Sequence, residues 1–136
     1  MKKEYVVGVT GASGIIYARR LLEVLSTDAT VHVIVSDVAK KIAAHEGVEL
    51  TGFHANYHDN SRMFSKIASG SYRYDGMVII PCSQKTLAAI AHGYSDNLIT
   101  RAADVCLKER RKCILVTRET PLSLIHLNNM VHVHQA

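Results

Sequence analysis

The sequence predicts an α/β fold with a mainly parallel sheet. Four short apolar runs, residues 5–9, 31–35, 77–80 and 113–117, alternate with stretches of helical spacing. Three of the four runs end in small polar or charged residues, which such a sheet would gather along one edge. In open α/β sheets ligands bind at the carboxyl edge of the strands, so that edge is the predicted site. With 136 residues and 48% hydrophobic content the chain can bury a substantial core, and it reads as one domain over 1–136.

The first unit organises the rest. Residues 5–9 are uncharged and rich in valine, the composition of a strand buried on both faces. Thr10-Gly11-Ala12-Ser13-Gly14 follows, small residues that let backbone pass close to a ligand. From Ile15, apolar residues fall at 15, 18, 21, 22 and 25, while Arg19, Arg20 and Glu23 take the other face of a helix. Free N–H groups at that helix start, with the positive end of the dipole behind them, suit a phosphate. Gly8, Gly11 and Gly14 do not satisfy the dinucleotide pattern G-x-G-x-x-G, and the second strand ends in Ser36-Asp37. A nucleotide or flavin phosphate therefore reads better than NAD, and a turn that binds nothing is the competing reading.

Residues 31–35 form the second strand and 38–45 a short helix, with Ser36 either contacting a ligand or capping that helix. Residues 47–60 have no clear period and read as a loop, 61–67 as a short helix, and 68–71 as a small-residue turn. The third strand, 77–80, closes in Pro81-Cys82-Ser83-Gln84-Lys85-Thr86 before helical 87–92. Ser83 and Thr86 suit a second anion or flavin-edge site, and Ser83 equally suits a helix cap. Residues 98–110 form a helix with Leu98, Ala102, Val105 and Cys106 inward. Arg101, Asp104 and Lys108 share another face, which by itself reads as salt-bridged and solvated. The fourth strand, 113–117, ends in Arg118-Glu119-Thr120-Pro121, where loops carry chemistry, and 122–133 starts a last helix. The assembled picture is a three-layer α/β/α sandwich with a Rossmann- or flavodoxin-like sheet.

Composition narrows the function classes. No apolar run approaches a membrane span, and Met1-Lys2-Lys3 leads straight into a strand, so neither a span nor a signal peptide is expected. Net charge is +4, and the basic run 108–112 ends a helix where cations are favoured anyway, so no nucleic-acid partner is read from it. Cys82, Cys106 and Cys113 lack metal spacing and read as reduced thiols of a cytoplasmic protein. His132 and His134 have no acid or cysteine beside them and read as surface histidines, not a metal site. Cys82 has no histidine placed to activate it and reads as a packing or flavin-contact residue.

VTGASG, PCSxKT at 81–86, ASGS at 68–71, NLITRAADVCLKERR at 97–111 and TRETPLSLIHLNNM at 117–130 together closely resemble the UbiX-type flavin prenyltransferases. Older annotation calls this group aromatic acid decarboxylases, within the flavin-containing cysteine decarboxylase superfamily. The resemblance implies transfer of a dimethylallyl group from dimethylallyl monophosphate to reduced FMN, giving the prenylated FMN cofactor of UbiD-type decarboxylases. It implies that Gly11, Ala12, Ser13, Ser36, Ser83, Gln84, Lys85, Thr86 and Arg118 hold FMN. Glu46, Arg101, Lys108 and Glu119 would line the prenyl phosphate pocket. Those roles suit the chemistry: cations stabilise the charge that builds on phosphate as the allylic C–O bond breaks, and Glu119 can orient them or pass protons. No metal is required. The family assembles as trimers stacked into dodecamers, so a homo-oligomer is expected.

Family members continue past the position of Ala136 through a further strand, a loop and a helix, so the chain reads as C-terminally truncated. That reading supplies one alternative, a protein that holds FMN without turnover. A second alternative is a flavin-dependent cysteine decarboxylase, whose catalytic histidine would be sought at His54 or His58.

Overall fold

The computed structural model describes residues 2–136. Its strands β1 (Glu4–Val9), β2 (Thr30–Val35), β3 (Asn56–Asp59), β4 (Gly76–Ile79) and β5 (Lys112–Leu115) form one parallel sheet in the order β3-β2-β1-β4-β5. The helices are α1 (Ile15–Asp28), α2 (Asp37–Glu46), α3 (Gln84–Ala91), α4 (Leu98–Lys108) and α5 (Leu124–Gln135). The chain winds outward from β1 to β3, then returns to place β4 on the other side of β1. Strand order reverses between β1 and β4, and the crevice at their carboxyl ends is where doubly wound sheets bind ligands.

Alternation along the strands divides the core into two layers. Val7, Val9, Val31, Val33 and Val35 pack with Ile15, Ala18 and Leu22 of α1 and with Ala39 and Ala43 of α2. Val6, Ile34, Met77 and Ile79 pack with Leu87 and Ile90 of α3 and with Leu98, Ile99 and Ala102 of α4. Both faces of β1 are thus covered, which is why its sequence is continuously apolar. A Cβ on Gly8 would meet Ile99 Cγ2 at 3.2 Å, so this glycine serves the approach of α4 to the sheet.

The α/β/α expectation holds, and three details differ from the sequence reading. Residues 56–59, expected as loop, form edge strand β3, registered His32 to Asn56 and Val35 to Asp59. Its residues are Asn-Tyr-His-Asp, and only His58 is half-buried, so no apolar pattern marked it. The expected helix over 61–67 is a series of turns closing in a single 3₁₀ turn, Lys66–Ala68. There Asp59 Oδ1 accepts from both the N–H (2.8 Å) and the hydroxyl (2.7 Å) of Ser61, a local pairing that competes with helix. Finally, β5 ends at Leu115, and Val116 donates its N–H to Ile79 (2.9 Å) and accepts from the Cys82 N–H (2.8 Å) before the chain leaves the sheet. Among the described residues no helix is long and apolar enough to cross a membrane.

Candidate functional site

A cleft of about 650 Å³ opens at the switch point, lined by Thr10, Gly11, Ser36, Asn60 and Ser83 after the strands, by Lys85 and Thr86 in the first turn of α3, and by Asn97 and Thr100 at the start of α4. Buried Thr10 ties its two halves together. Its hydroxyl donates to the Pro81 carbonyl (2.7 Å) and accepts from the Ser83 N–H (2.8 Å), so the loops after β1 and β4 share one anchor. Ser36 caps α2 by accepting from the Ala39 N–H (3.1 Å), which leaves its O–H to donate. Ser83 caps α3 by accepting from the Thr86 N–H (3.1 Å), and it donates to Thr86 Oγ1 (2.9 Å), which leaves the Thr86 O–H to donate. The capping reading of both serines holds; capping uses a lone pair of Ser36 and spares its donor, whereas Ser83 passes its donor on to Thr86.

Of the glycine turn, Gly11 lines the cleft, whereas Ala12, Ser13 and Gly14, like Gln84 and Arg118, stand outside its lining. Gly14 caps α1 in the left-handed region, φ 103°, with no side-chain cap. Among the described residues the N–H groups of Gly11, Ser13 and Gly14 meet no acceptor, whereas the Ala12 N–H donates to Thr10 (2.9 Å). Arg118, on the connection after β5, packs its stem on Gly14, for a Cβ there would lie 2.8 Å from Arg118 Cδ. Free backbone donors and the positive end of α1 thus lie at this turn with the stem of Arg118 packed on it, features that suit a phosphate monoester.

Gln84 adds a polar pair without partners. Its side-chain oxygen and nitrogen are buried and make no hydrogen bond among the described residues, at the first turn of α3. An amide so placed suits a ligand with both donors and acceptors at its edge, as an isoalloxazine ring has. The residues present therefore fit FMN. Cys82 does not serve as a nucleophile, because burial pushes its thiol up to about 12 and it packs in the core.

The residues expected at the prenyl phosphate are placed differently. Arg101 pairs with Asp104 (3.5 Å) on the half-exposed face of α4. Lys108, the last residue of that helix, pairs with Glu109 (3.0 Å) and lies beside Gly70 of the ASGS turn. Glu119 is exposed on the connection after β5, and Glu46 ends α2, about 15 Å along that helix from Ser36. None of the four lines the cleft within one subunit.

The histidines of the cysteine decarboxylase alternative are elsewhere. His54 lies with Lys2 and Thr30 at the amino edge of the sheet. His58 bonds buried His32 (3.0 Å) and Ser65 (3.2 Å). Sequence reasoning also missed Asn60, whose carbonyl and side-chain oxygen accept from the N–H groups of Leu98 (2.8 Å) and Ile99 (2.9 Å) and so dock α4 at the cleft. It stands at the end of a stretch without period, and nothing in the sequence marked it.

Fold and cleft define a phosphate-binding α/β protein of the flavin type. The chain matches the flavoprotein family over residues 1–135. It is 52% identical over 130 residues to the flavin prenyltransferase UbiX of Methanocaldococcus jannaschii, covering 93% of this chain and 71% of that protein. It is 53% identical over 135 residues to the flavin prenyltransferase LpdB of Lactiplantibacillus plantarum, covering 94% and 72%. Among solved structures, AnUbiX (PadA1) in complex with FMN and dimethylallyl pyrophosphate superimposes with a TM-score of 0.92 at 40% identity, over 99% of this chain and 74% of that one. A dodecameric FMN-dependent UbiX-like decarboxylase from Escherichia coli O157:H7 superimposes at 0.91 with 42% identity, over 97% and 75%. The peptidyl-cysteine decarboxylase EpiD shares the fold at a TM-score of 0.76 with 18% identity. The chain belongs to the flavoprotein family, in its UbiX flavin prenyltransferase branch.

Proposed function

We propose that this chain is a flavin prenyltransferase that moves a dimethylallyl group from dimethylallyl monophosphate to reduced FMN. The observation that carries the reading is the cradle of free N–H groups at Gly11, Ser13 and Gly14 under Arg118, in a chain about half identical to curated flavin prenyltransferases. Bound reduced FMN would supply the electron-rich ring that the allyl group joins. The chain's own residues do the rest. The glycine turn, with Ser13 and Arg118, holds the cofactor phosphate. Ser36 and Thr86, with the O–H donors that capping leaves free, orient the ring system together with Ser83, Gln84 and Lys85.

Arg101 and Lys108 would stabilise the leaving phosphate, where each well-aimed charge is worth a few kcal/mol in the transition state. Glu119 and Glu46 would hold those cations in place, and Glu119 would accept or return a proton at the site. Because these four stand on exposed surfaces away from the cleft, the proposed enzyme is a homo-oligomer, trimer to dodecamer, in which a neighbouring copy brings them to it. Its product would serve UbiD-type decarboxylases in the cytoplasm.

The test is anaerobic incubation of the chain with reduced FMN and dimethylallyl monophosphate, followed by mass analysis of the extracted flavin. Flavin heavier by one prenyl unit is the expected result. Recovery of unmodified bound FMN would favour the non-catalytic flavin carrier, and no bound FMN would overturn both.

A further inference from the structure

Where α4 begins, at the wall of the cleft, the backbone donors are already committed. The N–H groups of Leu98 and Ile99 donate to the carbonyl (2.8 Å) and Oδ1 (2.9 Å) of Asn60, and those of Thr100 and Arg101 donate to Oδ1 (3.0 Å) and the carbonyl (2.9 Å) of Asn97. A helix leaves its first four N–H groups without partners of its own, and here all four are bonded, so this helix start has none to offer a ligand. The side chains beside it are used as well. The Thr100 hydroxyl turns back to the Asn97 carbonyl (3.2 Å) and Oδ1 (3.0 Å), and the Asn97 NH2 donates to Asp96 (3.1 Å).

Asn60 keeps a donor. Its Oδ1 is committed to the Ile99 N–H, which fixes the end of the amide that carries nitrogen, since two N–H groups facing one another make no bond. The NH2 meets no acceptor among the described residues, and it is not sealed from solvent as the Gln84 amide is. Asn60 is half-buried and lines the cleft. The turn that presents it is held by the Asp59 side chain, which accepts from the Ser61 N–H (2.8 Å), and by the Asp59 carbonyl, which accepts from the Arg62 N–H (3.0 Å).

We propose that Asn60 is a ligand-binding residue of the cleft, its side-chain NH2 donating to an oxygen on the uncharged part of FMN, the ribityl chain or the ring. The proposal rests on the flavin reading above. In that reading the phosphate occupies the glycine turn, where the free backbone donors stand, which leaves the uncharged part of the cofactor for the wall at Asn60. An amide already fixed by Ile99 loses little freedom when the ligand arrives, so its hydrogen bond adds to affinity with little ordering cost.

The experiment titrates the parent chain, N60D and N60A with FMN and with riboflavin, by flavin fluorescence at low and at high salt, and records melting temperatures without ligand. Aspartate keeps an oxygen for the Ile99 N–H and loses the donor, so N60D should melt with the parent chain yet bind both flavins about tenfold more weakly at either salt. N60A loses the acceptor too, so it should melt lower and bind riboflavin about as weakly as N60D; it decides the matter if N60D does not fold. Unchanged riboflavin affinity in either folded variant, or a loss confined to FMN that high salt erases, as repulsion by the new carboxylate would be, would overturn the proposal and leave the flavin reading standing. A parent chain that binds neither flavin would overturn both.

Discussion

Arg118 lies across Gly14, close enough that a Cβ on the glycine would come within 2.8 Å of Arg118 Cδ. One residue opens the first helix and the other follows the last strand, so the contact ties the glycine turn to the connection after β5, as the proposed phosphate cradle needs. G14A adds a methyl group at φ 103° and pushes the guanidinium off the turn. Strain of this kind costs roughly 1–3 kcal/mol. We expect a lower melting temperature and FMN affinity reduced about tenfold or more, each 1.4 kcal/mol being a factor of ten. Flavin fluorescence titration measures this, and unchanged affinity would remove the cradle from the account.

Thr10 supports the opposite wall of the cleft. T10V keeps the shape but leaves the Ser83 N–H without its acceptor and the Pro81 carbonyl without its shorter bond. An orphaned buried donor costs about 1–3 kcal/mol. Urea denaturation should give a lower midpoint for T10V and recovery in T10S, which keeps the hydroxyl.

Legibility in the sequence followed burial. Strands β1, β2 and β4 and helices α1 and α4 were marked by apolar runs or helical spacing because both faces of the inner strands, and one face of each helix, enter the core. Edge strand β3 was not, since its pairing to β2 is a backbone matter that Asn56, Tyr57 and Asp59 do not record. The cleft divides in the same way. The glycine turn and Ser83 were visible as small residues after a strand, whereas the anchoring role of Thr10 and the docking of α4 by Asn60 depend on contacts across 71 and 39 residues. Arg101 and Lys108 were assigned by resemblance only, whereas Glu119 also stood out by its place after a strand's carboxyl end. Their surroundings in one subunit are ordinary ion pairs and solvent.

A buried polar chain makes stability depend on pH. His32 Nε2 approaches Glu4 Oε2 at 2.7 Å and its Nδ1 approaches His58 Nε2 at 3.0 Å, while Tyr72 donates to Glu4. Burial holds the His58 imidazole below its ordinary range, and His32 and Lys66 add to this. Burial alone would raise the Glu4 carboxyl, but the bonds from Tyr72 and His32 prevail and hold it low. In both cases the unfolded chain binds protons first as pH falls, so folding loses stability on acidification. The His58 contribution begins to fall near its ordinary value of 6.5, and that of Glu4 near 4.5. Melting temperatures measured from about pH 7.5 to about pH 5.5 should fall less steeply in H58Q than in the parent chain. Equal slopes would place the acid sensitivity elsewhere.

Lys108 separates assembly from folding. Its side chain is about half exposed and pairs only with the neighbouring Glu109, so K108A should leave the melting temperature nearly unchanged, as exposed pairs contribute about 0–1 kcal/mol. In the proposed reaction the same change removes a cation from the leaving phosphate and should lower kcat/KM by about 10²–10³. Lys108 and the cleft stand at opposite ends of α4, about 16 Å apart along the helix, so the lysine serves its own subunit's cleft only with difficulty. Mixed oligomers test this directly. Subunits carrying K108A retain an intact cradle, and subunits carrying G14A retain an intact lysine. Co-refolded together they form some interfaces with one good cradle and one good lysine, and activity should exceed that of either variant alone. If activity stays at the level of the two variants, cradle and lysine act within one chain and the shared site is wrong.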